Sequence, residues 1–281
     1  MITARIRHGE SLSWASKKLY KLSRGIASAL RFKLIMSDGQ TQYTFVPSGK
    51  GELHRYLGFF TKEEGTIAWI KNTVKRGDVF FDIGANVGLY SLYAARQADD
   101  VRVFAFEPHK YNFVALVNNI NKNQLLTRIS PVAIPLGDRN DVFKLNYLST
   151  ESGSSMTQLG HKHLPDHREF TPKFEEIVCA VALDDLVEKK MVPMPTVIKI
   201  DVDGNEMPIL KGITKILSAT NKPRSIQVEI NPGQKTEVNQ FMQRHGYRHD
   251  HSHYTVTKKP RFEQGASEDD LAHNEVFIAM S

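Results

Sequence analysis

The chain has one cysteine among 281 residues, Cys179, so an intramolecular disulfide is excluded and a reducing, cytoplasmic setting is expected. It has no apolar run approaching the roughly 18 residues that a membrane span needs. The first 30 residues are basic and interrupted by Ser and Lys, so they lack the continuous apolar segment of a secretory leader. No internal repeat is evident. The G-x-G-x-x-G spacing of a dinucleotide fingerprint is also missing, which argues against a nicotinamide oxidoreductase. An excess of positive charge is lacking outside the N-terminus: residues 1–33 hold eight Lys or Arg against Glu10 alone, a net +7, so the other 248 residues carry −1 of the chain's +6. A main body near neutrality offers no basic track, and no nucleic-acid partner is expected.

The basic segment has a pattern of its own. Leu12, Ala15, Leu19, Leu22 and Ile26 recur at spacings of three and four with lysines between them, which predicts an amphipathic helix. Such a helix either lies on an anionic membrane or covers the main domain. The expected organisation is a basic helical segment at 1–30, a hairpin and connector at 31–62, and the main domain at 63–281. The hairpin signal is Asp38-Gly39 between two apolar runs, Arg31 to Ser37 and Thr41 to Val46. Glu63 to Arg76 reads as a helix with Ile67, Ile70 and Val74 on one face and Gly77 as its stop.

From Val79 the chain alternates apolar strands with helical stretches, which predicts an α/β fold with a mainly parallel sheet. The first strand ends in Asp82-Ile83-Gly84-Ala85-Asn86-Val87-Gly88 and opens a helix; the next ends at Glu107, 23 residues beyond Gly84. Gly84 and Gly88 would let backbone approach a ligand, and Glu107 can accept hydrogen bonds from two ribose hydroxyls. The acid before Gly84 would repel a pyrophosphate but not the ammonium and sulfonium of S-adenosylmethionine. A later strand, Thr196 to Ile200, also ends in acids and a glycine, Asp201-Val202-Asp203-Gly204, and Pro208 follows near a helix start.

The ordered motifs D-I-G-A-N-V-G-L-Y-S, F-E-P, K-I-D-V-D-G-N-E-M-P-I-L-K-G and V-E-I resemble the FkbM family of S-adenosylmethionine-dependent methyltransferases, over roughly Gly51 to Tyr247. The resemblance implies a class I methyltransferase fold: a Rossmann-like seven-stranded sheet with helices on both faces and the last strand antiparallel. It implies S-adenosylmethionine as cofactor, held by Asp82, Gly84, Ala85, Asn86, Gly88, Glu107, Pro108 and Ala133. It also implies O-methylation of a hydroxyl on a sugar, glycolipid or natural product. The chain departs from the usual pattern at Asp203, where the family more often has Glu. Asp203, Glu206, Ser154, Ser155 and Glu229 are the expected acceptor contacts.

Lys199 and Asp201, two apart on one strand, share a face at the carboxyl end of the sheet. A lysine inside an apolar strand needs a partner, and the pair is the expected catalytic centre or, alternatively, an ion pair holding the strand end. Asp201 with Glu229 and Asn231 offers a metal-assisted alternative. His249, His251 and His253 alternate, which would put all three on one face of an extended segment without completing a metal site. Glu151 to Glu175 is irregular and is expected to be a lid or a surface loop. Tyr254 to Lys258 with Glu275 to Met280 is expected to form the terminal hairpin. An amine- or nucleic-acid-directed methyltransferase is the second enzyme reading, though the N-P-P-Y or D-P-P-Y turn common there is replaced by Asp201-Val202-Asp203-Gly204. A non-catalytic binding module is the third.

Overall fold

The structure, a computed structural model, describes residues 2–7, 32–165, 168–255 and 271–280. The segment expected to form the basic amphipathic helix, residues 12–26, lies outside these. Ile2–Arg7 (β1) pairs in parallel with Phe32–Ser37 (β2), which turns back antiparallel into Gln42–Phe45 (β3). The expected hairpin therefore forms. Asp38 Oδ1 accepts hydrogen bonds from the Gln40 and Thr41 backbone N–H groups at 2.9 and 2.7 Å, and Gly39 takes φ +97°, where a side chain would be strained.

Two helices follow, Lys50–Leu57 (α1) and Glu64–Thr73 (α2), and deliver the chain into Val79–Ile83 (β4). All five residues of β4 are buried, as a central strand covered on both faces requires. Then come Leu89–Ala95 (α3), Arg102–Phe106 (β5), Lys110–Lys122 (α4) and Ile129–Val132 (β6). An inserted sheet is built from Asp141–Tyr147 (β7), Thr157–Leu159 (β8) and Phe174–Ala180 (β9) in the order β8-β7-β9. Leu183–Glu188 (α5), Val197–Ile200 (β10), Glu206–Lys211 (α6), Thr214–Ser218 (α7) and Ser225–Ile230 (β11) complete the parallel part. The chain ends with Lys235–Arg244 (α8), Tyr247–His253 (β12) and His273–Ala279 (β13).

The main sheet runs β12-β13-β11-β10-β4-β5-β6, with β13 antiparallel to both neighbours and the other pairs parallel. This is the seven-stranded class I methyltransferase sheet with its last strand reversed. One face packs Leu92 and Leu116 against the N-terminal hairpin's Tyr43 and Phe45; the other packs Phe81 and Ile83 against Leu210, Leu217 and Met242. After β6 the chain crosses back to β10 on the other side of β4. The crevice at the carboxyl ends of β4 and β10 is therefore the topological switch point where such sheets take ligands.

Three expectations need correction. The partner strand of the terminal hairpin is Tyr247–His253, not Tyr254 to Lys258, of which residues 256–258 lie outside the description. It read as polar because an edge strand with four consecutive exposed residues has no apolar alternation to detect. The three histidines do not share one face, because a bulge between His249 and His251 skips Asp250 and shifts the register. Finally, Glu151 to Glu175 is not structureless: it contains β8, the start of β9 and a bridge between His163 and Glu169.

Candidate functional site

The turn after β4 and the end of β10 meet without clearance. Asp201 N–H donates to the Ile83 carbonyl at 3.0 Å, and a Cβ on Gly84 would lie 1.8 Å from the Asp201 carbonyl oxygen. Gly84, at φ +82°, is thus required by the neighbouring strand. Gly88 has a similar role on the other side: at φ +87° it caps α3, and a Cβ there would strike the Leu116 side chain at 2.4 Å. The ligand approach expected at Gly88 is instead an approach of α3 to α4.

Beneath the turn, Asp82 is fully buried; it accepts a hydrogen bond from Ser91 Oγ at 2.6 Å and faces Lys199 Nζ at 3.8 Å. Lys199 Nζ donates to Asp201 Oδ2 at 2.8 Å and lies 5.0 Å from the centre of the Tyr90 ring. Burial alone would pull the ammonium's pKa down, but the charges of Asp201, Asp82 and Glu63 outweigh it and raise the value, so Lys199 is a fixed cation and not a base. Asp201 shows the complementary effect. Burial pushes its carboxyl up, and the Lys199 charge and hydrogen bond hold it below the usual carboxylate range. Its side chain remains about a quarter exposed and reaches the crevice.

The crevice holds a cavity of about 220 Å³ that is walled by Gly84, Asn86, Glu107, Asp201, Asp203 and Ser154, among others. Glu107 ends β5 at its floor. Its Oε2 accepts from the Asn86 N–H at 2.6 Å and its Oε1 from the His109 N–H at 2.8 Å. Burial nevertheless drives its pKa up to about 7, a cost that donors on a bound ligand would relieve. On one side an apolar slot opens between Pro108, Ile134, Leu159 and Val202. A separate recess, which shares only Gly84 with that slot, runs along Gly84 to Val87 toward Tyr90 and Lys199. Asn86 Oδ1 is buried beside the cavity with no hydrogen-bond partner among the described residues.

The segment Ser149 to Met156 closes the cavity, and four elements latch it. Arg55 Nε from α1 donates to the Gly153 carbonyl at 2.9 Å. Asn86 and Asn112 both donate to the Ser154 carbonyl, at 2.8 and 3.0 Å, and Asn112 Oδ1 accepts from the Gly153 N–H at 2.7 Å. His109 Nδ1 accepts from the Asn112 N–H, so the proton is on Nε2, which donates to the Ser149 carbonyl at 3.0 Å. Asp203 Oδ2 accepts from the Met156 N–H at 2.8 Å. Asp203 is raised by burial and by the Asp201 charge, and its φ of +56° turns it toward this segment.

The structure thus brings together Gly84, Asn86, Glu107, Pro108, Ser154, Ser155, Asp201, Asp203 and Glu229 as cavity walls. Others do not reach the main cavity. Ala85 lines only the side recess. Ala133 is exposed, and its neighbour Ile134 lines the slot. Glu206 is fully buried: it accepts from the Val202 and Gly204 N–H groups and from Asn231 Nδ2, fastening the β10–α6 turn. That bond uses the Asn231 amide nitrogen. Sequence reasoning missed Arg55, Lys62, Glu63, Asn112 and Thr157, which also wall the cavity. None belongs to a spaced motif, and only the convergence of α1, the α1–α2 connection, α4 and β8 on the crevice identifies them.

Residues 82–249 match the methyltransferase FkbM domain. The chain is similar to the hexuronic acid methyltransferase AglP of Haloferax volcanii, with 29% identity over 172 residues covering 61% of this chain and 63% of that protein. It is also similar to the 31-O-demethyl-FK506 methyltransferase FkbM of Streptomyces tacrolimicus, with 27% identity over 163 residues covering 50% and 61%. The chain therefore spans about three fifths of the length of these curated relatives. The solved methyltransferase FkbM of Methylobacillus flagellatus KT shares the fold, with a TM-score of 0.51 at 14% identity, over 82% of this chain and 50% of that one. The family match runs from the acid of the β4 turn through the β10 and β11 ends that build the crevice, and on it this chain belongs to the FkbM methyltransferase family.

Proposed function

We propose that the protein is an S-adenosylmethionine-dependent O-methyltransferase whose acceptor is a hydroxyl on a sugar, glycan or natural product. The observation that carries this is Glu107, a desolvated carboxylate between a polar cavity and an apolar slot at the sheet's switch point. That order suits a nucleoside, with the base in the slot and the ribose diol donating to the carboxylate. The names of the two relatives support the acceptor class. The basic N-terminal segment supports peripheral contact with an anionic membrane, and the site lies in a cytoplasmic enzyme.

When bound, S-adenosylmethionine supplies an electrophilic methyl group on a sulfonium. The protein's part is to align the acceptor oxygen and take its proton, and alignment accounts for up to roughly 7–11 kcal/mol in favourable systems. Asp201 is the acceptor's base in this reading. A carboxylate held low by Lys199 is a weak base toward a free alcohol. As the new C–O bond forms, however, the hydroxyl proton becomes strongly acidic, and a weak base suffices late in the step. Lys199 fixes the Asp201 orientation and keeps it ionised, while Asp82 shares the ammonium charge from below.

Asp201→Asn keeps the shape and removes the charge. Turnover in a labelled-methyl assay over sugars, lipid-linked glycans and polyketide alcohols should fall about 100-fold or more, well beyond any loss of cofactor affinity. Near-normal turnover would sink the assignment. Wild-type turnover should survive a chelator; loss restored by magnesium would instead make Asp201 and Glu229 metal ligands.

A further inference from the structure

The cavity wall is strongly acidic. Glu63, Glu107, Asp201, Asp203 and Glu229 line it, and Arg55 and Lys62 are the two cations among its described lining residues. The acids suit a ligand that carries a sulfonium and an ammonium. The same ligand also carries one negative group, the α-carboxylate, which this wall would repel unless a cation meets it. Both cations line the recess along Gly84 to Val87 as well, which shares Gly84, Asn86 and Asp201 with the main cavity but only Gly84 with the apolar slot. With a base in the slot and ribose at Glu107, the amino-acid tail falls in that recess.

Arg55 is well placed to act there. Only its Nε is committed by a hydrogen bond given above, to Gly153, and its charge is felt at Glu107, Asp201 and Asp203, each of which it lowers. Lys62 Nζ is 3.4 Å from Glu63 Oε1 and its side chain is 40% exposed, so the ammonium can meet a ligand while staying beside the buried Glu63 carboxylate. A zwitterionic tail needs opposite charges side by side, and Lys62 next to Glu63 presents them. Neither cation lies in the range that matches the family, residues 82–249.

Resting on the cofactor reading above, we propose that Arg55 and Lys62 bind the α-carboxylate of S-adenosylmethionine, so that the α1–α2 region preceding the family-matched domain completes the cofactor site. The test is calorimetric titration of the full chain with two ligands, S-adenosylhomocysteine and 5′-methylthioadenosine, which share the nucleoside and differ in the amino-acid tail. Arg55→Met also removes the Gly153 latch and a charge near Glu107, a loss both ligands share; beyond that shared loss it should weaken S-adenosylhomocysteine about a further tenfold, the scale of one charge-assisted contact of about 1.4 kcal/mol. Lys62→Met, which disturbs no bond to the closing segment, should show the same selectivity at roughly half the free-energy cost. Equal weakening of both ligands, or no change in either, would overturn the proposal. Wild-type protein that binds neither would overturn the cofactor reading with it, whereas wild type that binds both with unselective variants would overturn the tail assignment alone.

Discussion

Glu107 shows how one residue sets the terms of binding. Its carboxyl is raised to about 7 by burial, although two backbone N–H groups donate to it. Ribose hydroxyls donate most strongly to the ionised form, whose two oxygens both accept, so a proton on the carboxyl weakens binding below that value. Cofactor affinity should therefore be highest above pH 7 and fall as pH drops through about 7, by up to about tenfold per unit. The sign for folding is opposite: a raised carboxyl stabilises the free protein at low pH, and that contribution is lost as pH rises through about 7, where the cofactor restores it. Glu107→Gln should weaken binding and flatten its pH profile between 5.5 and 8, read by calorimetry. Glu206 is also raised to about 7, yet it lies under the β10–α6 turn and would persist in the variant. A pH slope that survived Glu107→Gln would assign the titration to another group.

At the scale of elements, the segment Ser149 to Met156 is held by side chains of α1, the β4 turn, the start of α4 and the β10–α6 turn. Asn112 makes two of these bonds, accepting from Gly153 and donating to Ser154. Asn112→Ala leaves a buried N–H and a carbonyl short of a partner, at a cost of about 1–3 kcal/mol concentrated on the segment. Amide exchange at residues 151–156 should accelerate tenfold or more in hydrogen-exchange measurements, while the strands of the main sheet stay protected. Unchanged exchange there would mean that the other latches suffice. None of this was legible in the sequence, because a latch joins residues about 40 to 100 positions apart whose types, Asn, His, Arg and Gly, have ordinary surface uses. The elements themselves were legible where a strand is central: β4, β10 and β11 are buried on nearly every residue, so their apolar runs and terminal acids stood out. β12 was displaced because an edge strand lacks that signal. Glu206 resembles a ligand contact in sequence because an acid that closes the turn after a strand looks the same whether it faces a cavity or fastens that turn.

Across the whole molecule, charge is segregated: the eight basic residues of 1–33 stand against a remainder of −1. If the segment serves an anionic membrane, its effect should be electrostatic, on the order of 1 kcal/mol per cation near the surface and weakened by salt. Deleting the N-terminus would be a poor test, because Ile2–Arg7 pairs with β2 and its loss would expose the edge of a sheet packed into the core. Replacing Lys17, Lys18, Lys21 and Arg24 together with Gln keeps that strand and removes four charges. Binding to vesicles of mixed phosphatidylcholine and phosphatidylserine should fall at least tenfold in a sedimentation assay at low salt, with S-adenosylhomocysteine affinity unchanged, since among the described residues the cofactor crevice is walled from Arg55 onward. Binding of the wild type should also drop as salt rises from about 0.05 to 0.3 M, as the Debye length shortens. Equal vesicle binding by both proteins, or binding insensitive to salt, would reject the membrane role and leave the segment as a cover for the domain.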